Sequence, residues 1–185
     1  MNTRDRQREE TKKRIYQEAF KLFDQYGYDK VKVSDIAKAA KVSVGSVYYH
    51  YKNKEAIIDY GYYEFDQLLK EAYEKQSFQN EREAILFLID FQIKDVFLDI
   101  GLKMTTICFK NQINADNTYL YCDERYLYQK LLENLSSIEN KEHFAKMILR
   151  ISRGSIYDWC CHNGNYDLIE AAHEEISIIL DYICL

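Results

Sequence analysis

Between positions 45 and 54 the chain places Gly45, Ser46, Tyr48, Tyr49, His50 and Lys54, a run of small, aromatic and basic groups. Such groups are what a protein brings to phosphate oxygens and base edges. Gly45 lets backbone come close to a partner, Ser46 can bond a phosphate or a base edge, and Tyr49 and His50 can touch phosphates or thymine methyls. Taken singly, several have plainer readings: Tyr48 as core packing, His50 as a helix-end residue favoured by the dipole, Lys54 as an exposed charge at a helix start. In this order on one short helix they point to double-stranded DNA.

A second cluster, Cys160, Cys161 and His162, has residue types that hold metals or act as nucleophiles. Consecutive side chains on a helix diverge by about 100° and cannot converge on one ion. The sequence has no second ligand pair at a suitable spacing, no Gly-rich phosphate loop, no paired-carboxylate signature and no Ser/His/Asp motif. No metal site, cofactor or catalytic residue is therefore assigned, and the chain is read as a non-enzyme. The competing reading, a small helical enzyme built on this cluster, predicts a turnover that Cys161→Ala abolishes; a thiol redox sensor is the other alternative.

The elements around the first cluster explain how it is presented. Ser34, Asp35, Ile36, Ala37, Ala39 and Ala40 suit a short helix, with Val33, Ile36, Ala37 and Ala40 spaced to form one apolar face. Lys41 and Val42 break the pattern. Ser43 stands where a hydroxyl accepts the free N–H groups opening the next helix, which starts at about Val44. Val47 and Tyr51 share a face and pack inward, turning Gly45, Ser46, Tyr49 and His50 outward. Two short helices joined by a tight turn form a helix-turn-helix.

Ile36, Ala37, Val42, Ser43, Gly45, Ser46, Val47, Tyr48, His50, Tyr51 and Lys54 follow the pattern of the TetR family of transcriptional regulators, which this stretch resembles. Two positions depart from it. Lys32 stands where the family usually has a capping Thr, and Lys41 where a Gly commonly occupies the turn. A left-handed Lys costs about 1–2 kcal/mol, and Ser34 is expected to take over the cap. The resemblance implies phosphate clamps at Tyr48 and Lys54, and the expected DNA-contacting set is Ser34, Ser43, Gly45, Ser46, Tyr48, Tyr49, His50 and Lys54.

Composition agrees with an all-α chain: 185 residues, 47% apolar, no proline and 6 glycines. Residues 1–54 hold 13 Lys and Arg against 7 Asp and Glu, a balance of +6, and residues 55–185 hold 12 against 23, a balance of −11. A basic helix-turn-helix DNA-binding domain at 1–54 and a helical ligand-binding and dimerisation domain at 55–185 follow, with a fourth helix at about 54–75 connecting them. No apolar run reaches 18 residues, the N-terminus is charged, and the five cysteines lack a CxxC spacing. A cytoplasmic protein without a membrane span or disulfide framework is expected.

A first helix is expected from about Thr11, or earlier, to Tyr26, with Gly27 as its C-cap and Arg4, Arg6, Arg8, Lys12, Lys13 and Arg14 reaching flanking phosphates. Asn53 caps the fourth helix, and Asn80 with Glu83 opens a fifth that is apolar nearly all round from Ala84 to Ile100. A short helix after Gly101, a loop over Asn111–Thr118, a helix over Tyr119–Ser136, and two long helices over Glu142–Asn163 and Tyr166–Leu185, joined near Gly164, complete the chain. By the resemblance, the last two helices pair with those of a second subunit. The middle helices then enclose a pocket for a small-molecule effector, and Phe87, Phe91, Phe109, Tyr126 and Trp159 suit an aromatic or lipophilic ligand; the alternative is that they are core and dimer contacts. One short helix reads only a few base pairs, whereas a two-fold dimer sets two about 34–36 Å apart on an inverted repeat. The expected function is a repressor released by its effector; the alternative is a regulator of the same kind controlled by a protein partner and able to act as an activator.

Overall fold

A computed structural model of the chain describes residues 3–114 and 122–185, and among these there are nine α-helices and no strand. They are α1 (Thr3–Tyr26), α2 (Val33–Ala39), α3 (Val44–His50), α4 (Lys54–Tyr73), α5 (Glu81–Gln92), α6 (Gly101–Asn114), α7 (Tyr126–Asn134), α8 (Lys141–Cys161) and α9 (Leu168–Tyr182). The chain divides into two compact units, Met1–Glu64 and Phe65–Leu185, so α4 contributes residues to both.

In the first unit, Ile15, Ala19 and Phe23 recur every four residues along α1 and are fully buried. They form a small core with Ile36 and Ala37 of α2, Val47 of α3, and Ile57 and Ile58 of α4. Gly27 ends α1 with φ +89°, its N–H bonded to the Phe23 carbonyl at 2.9 Å. Asn53 caps α4, accepting the Ala56 N–H at 2.9 Å.

The second unit is built on the α8–α9 hairpin, with Leu88, Ile89, Ile148, Ile156, Ala172, Ile176 and Leu180 at its centre. Asn80 opens α5 by accepting from Glu83 N–H, while the Glu83 carboxylate reaches back to Gln79 N–H. The expected single helix to Ile100 is α-helical only to Gln92. Ile93–Leu98 is a π-helical turn, with the Asp99 N–H on the Lys94 carbonyl five residues back. Buried Gln92 sits just before this change and accepts the Ser152 hydroxyl at 3.0 Å.

Three boundaries differ from the sequence reading. α6 runs on through Asn114, so the expected loop does not begin at Asn111; its remainder and residues 119–121 lie outside the described residues. Residues 122–125 are not helical, and α7 starts at Tyr126. The cause is remote in sequence: the Asp66 carboxylate on α4 accepts the Tyr126 N–H at 3.3 Å and an Arg125 guanidinium N–H at 3.1 Å, so it supplies the helix cap. α9 starts at Leu168 rather than Tyr166, because Asp167 accepts both Ile169 and Glu170 N–H groups. At the α8–α9 joint Gly164 has φ +72° and lies under Trp159, where a Cβ would come within 3.0 Å of the indole. No helix of the described residues is long and apolar enough to cross a membrane.

Candidate nucleic-acid interface

The turn between α2 and α3 is closed by backbone bonds from Lys41 N–H to Lys38 O (3.2 Å) and Val42 N–H to Ala37 O (3.0 Å), with Lys41 left-handed at φ +56°. This is a Schellman ending with a lysine where glycine would be unstrained, so the conformational cost expected at Lys41 is present. At the start of α2 the expectation differs from the finding. Ser34 is exposed, and Asp35 instead takes the Lys32 N–H at 2.9 Å. A lysine side chain has no acceptor, so the carboxylate three residues on satisfies the helix opening from inside.

Ser43 caps α3, its hydroxyl oxygen accepting the Ser46 N–H at 3.0 Å. Val47 and Tyr51 point inward, at 1% and 3% exposure. Tyr51 also donates its hydroxyl to the Lys12 carbonyl at 2.9 Å, which fixes α1 against the end of α3, and burial pushes its pKa upward. The opposite face is open: Tyr48 and Tyr49 are 54% and 67% exposed, so Tyr48 is not core packing. Gly45 is exposed too, and a Cβ there would meet nothing closer than the Ser43 hydroxyl at 3.8 Å.

Around this face the basic residues divide. The Arg8 guanidinium lies 5.4 Å from the Tyr49 ring centroid, beside α3. Others are engaged within the unit: Arg6 with Glu10, Lys13 with Glu64, Arg14 on the Ala40 carbonyl at 3.0 Å, and Lys12 over the Tyr60 ring at 4.3 Å. Lys54 is half-buried; its ammonium donates to the Tyr28 and Val31 carbonyls at 2.8 and 3.1 Å and covers the Tyr28 ring. It therefore ties α4 to the α1–α2 loop, a role that spacing alone does not signal. The pKa of His50 lies below its ordinary value, first through burial and then through the nearby Arg8 and Lys12 charges. Near neutrality it is a neutral imidazole able to donate and accept, with Glu9 as well as Arg8 and Lys12 near it.

The stretch that carries this open face has known relatives. Residues 15–60 match the model of bacterial regulatory proteins, tetR family. The A-factor receptor protein of Streptomyces griseus is 42% identical over 48 residues, 26% of this chain and 17% of that protein. The biofilm-operon negative transcriptional regulator IcaR of Staphylococcus epidermidis is 44% identical over 46 residues, 25% of each. The matched stretch thus spans a quarter or less of either relative. The Thermus thermophilus repressor FadR, solved with lauroyl-CoA, superposes with a TM-score of 0.69 at 20% identity, over 91% of this chain and 93% of its own. Residues 15–60 are thus similar to a tetR-family segment.

The five aromatics expected to line a pocket fall into separate places. Phe87, Phe91 and Tyr126 belong to one ring cluster with Phe65, Tyr73 and Phe78. Phe109 packs on Phe97 and borders a groove with Tyr157 and Cys161. Trp159 is buried against Gly164. Tyr126 carries a buried hydroxyl with no hydrogen-bond partner among the described residues. Of the cysteine cluster, Cys160 is half-buried and burial pushes its thiol pKa up, which disfavours the nucleophilic thiolate. His162 bonds its own helix at the Asp158 carbonyl. Among the described residues no group of three metal-ligating side chains converges.

Proposed function

We propose that the chain is a dimeric transcriptional repressor that reads an inverted-repeat operator with α3 and leaves it when a small molecule binds residues 65–185. The observation that carries the DNA reading is Gly45. Glycine within a helix is less stable than alanine by up to about 1 kcal/mol, yet neither a positive φ nor a neighbour inside the chain requires it here. What excludes a Cβ is then an external partner, and the flanking Ser46, Tyr48, Tyr49 and His50 suit phosphates and base edges. Ser34, Ser43 and Lys54 complete the contact set, Lys54 through its remaining N–H.

Dimerisation through α8 and α9 is supported by the apolar groups they leave open: Tyr157, Ile178 and Tyr182 are 57%, 71% and 78% exposed. An aromatic or lipophilic effector is supported by the Phe65, Tyr73, Phe87, Phe91 and Tyr126 cluster and by the lauroyl-CoA complex of the FadR neighbour. α4 contributes to both units and is the element through which an effector would act, by binding the DNA-free shape more tightly.

The test is selection of binding sites from random duplexes with the purified protein, then titration of the winner at two salt concentrations. An enriched palindrome whose affinity falls steeply with salt is expected. Absence of any enriched sequence overturns the reading.

A further inference from the structure

In the first unit the end of α1 and the face of α2 enclose an open groove of about 790 Å³. Leu22 and Tyr26 of α1, Val31 of the connecting loop and Ala39 of α2 make its apolar part. Val31 is 3% exposed, whereas Tyr26 is 54% exposed at the groove's edge. A large apolar side chain left open beside a concave surface is a feature of ligand sites, and the volume is within the range of small-molecule sites.

Two cations, Lys30 and Lys38, line the same groove. Both are exposed, and neither ammonium has an ion pair or hydrogen bond among the described residues. Asp35 is the one carboxylate among the described lining residues, and it accepts the Lys32 N–H at 2.9 Å, so it serves the start of α2. Asp29 adjoins Lys30 in sequence without lining the groove. An apolar wall beside two uncommitted ammonium groups, with the exposed Gln25 amide as a further donor, complements an apolar body that carries a carboxylate.

We infer that this groove binds a small amphiphilic carboxylate, its apolar body against Leu22 and Tyr26 and its oxygens on Lys30 and Lys38. It is a second ligand site, placed in the helix-turn-helix unit itself rather than in residues 65–185. Residues 1–54 have a balance of +6, which a bound anion lowers by one. Bound carboxylate and operator phosphates therefore repel, and each weakens the binding of the other. That coupling rests on the DNA reading above; the site itself does not.

Cinnamate is the probe, titrated calorimetrically into the full chain at constant ionic strength, with its neutral counterpart cinnamamide beside it. Saturable cinnamate binding with a dissociation constant of about 1 mM or tighter is expected, and binding of the amide at least about fivefold weaker. Lys30→Gln/Lys38→Gln, which removes two exposed cations, should weaken cinnamate at least about fivefold, leave the amide as it was and leave circular dichroism unchanged. Tyr26→Ser should weaken both compounds. No saturable binding, or equal cinnamate binding by wild type and the double variant, overturns the site. Another occupant overturns it too. A short Glu/Leu peptide that binds wild type where cinnamate does not, and is lost in the double variant, assigns the groove to an acidic partner protein. An assembly larger than a dimer in sedimentation, lost in the double variant, assigns it to a second copy. In a second arm, operator affinity is followed by fluorescence anisotropy with and without cinnamate. A fall of about twofold at low salt, shrinking as salt rises and absent in the double variant, supports the coupling. Operator affinity that is unchanged with cinnamate bound overturns the coupling alone. A protein that binds cinnamate in this way but selects no operator refutes the DNA reading and leaves the site standing.

Discussion

Gly45→Ala should move stability and DNA binding in opposite directions. The new methyl enters open space, its nearest contact being the Ser43 hydroxyl at 3.8 Å, and the backbone there is ordinary helix. A mid-helix Gly→Ala change is worth about 0.5–1 kcal/mol. Position 45 is in the first turn of α3, directly after Val44, so the lower figure applies. Stability should rise by about 0.5 kcal/mol, or roughly 1–2 °C in Tm for a chain of this length. The same methyl sits on the face proposed to meet DNA, where it holds the backbone away and lengthens charge-assisted contacts to phosphate. Loss of one or two such contacts at about 1.5 kcal/mol each predicts operator affinity reduced by about tenfold or more. Thermal unfolding and anisotropy titration of the selected operator give the two numbers. A variant that is more stable and binds operator undiminished refutes the assignment of α3's outward face, because nothing else in the chain would then explain the glycine.

Asp66→Ala should cost about 3–5 kcal/mol by urea unfolding, since it removes the carboxylate paired with Arg125, whose side chain is 4% exposed. Asp66→Leu/Arg125→Met should recover most of that loss, leaving a deficit of about 1 kcal/mol for the uncapped Tyr126 N–H; a loss below about 1 kcal/mol for the single change would mean that water reaches the pair. His50 is held neutral in the folded protein, so its contribution to stability is complete above its ordinary pKa near 6.5 and declines as the pH falls below it, where the unfolded chain takes up the proton first. DNA phosphates favour the imidazolium, so operator affinity should rise from pH 7.5 to 5.5 more in wild type than in His50→Gln, and equal slopes would remove His50 from the interface. Lys54→Met deletes the bonds to Tyr28 and Val31, and a stability loss of about 1–2 kcal/mol is expected in denaturant. If stability is unchanged while operator binding falls, Lys54 is a phosphate clamp alone.

What the sequence determined by itself was local. Short-range spacing sets Ser43 against the Ser46 N–H, turns Val47 and Tyr51 inward, places Asn53 and Asn80 at helix starts, and puts Gly27 after α1. Each of these follows from bonds or periodicities spanning at most four residues, which any reading of the chain in order can find. The tertiary structure decided what depends on partners far apart in sequence. α7 opens at Tyr126 because Asp66, 60 residues earlier, supplies its cap. Lys54 is bound by carbonyls 23 and 26 residues before it, and the aromatics of the second unit are distributed among separate clusters rather than gathered in one pocket. The cavity lined by Arg125, Lys146 and Arg150 likewise exists only because the turn before α7 is brought against α8, an encounter that net charge conceals, since acidic residues outnumber basic ones over residues 55–185. Hydrophobic periodicity specifies which face of a helix is buried; it carries no information about which other helix covers that face, and the polar groups that meet across such contacts are chosen there.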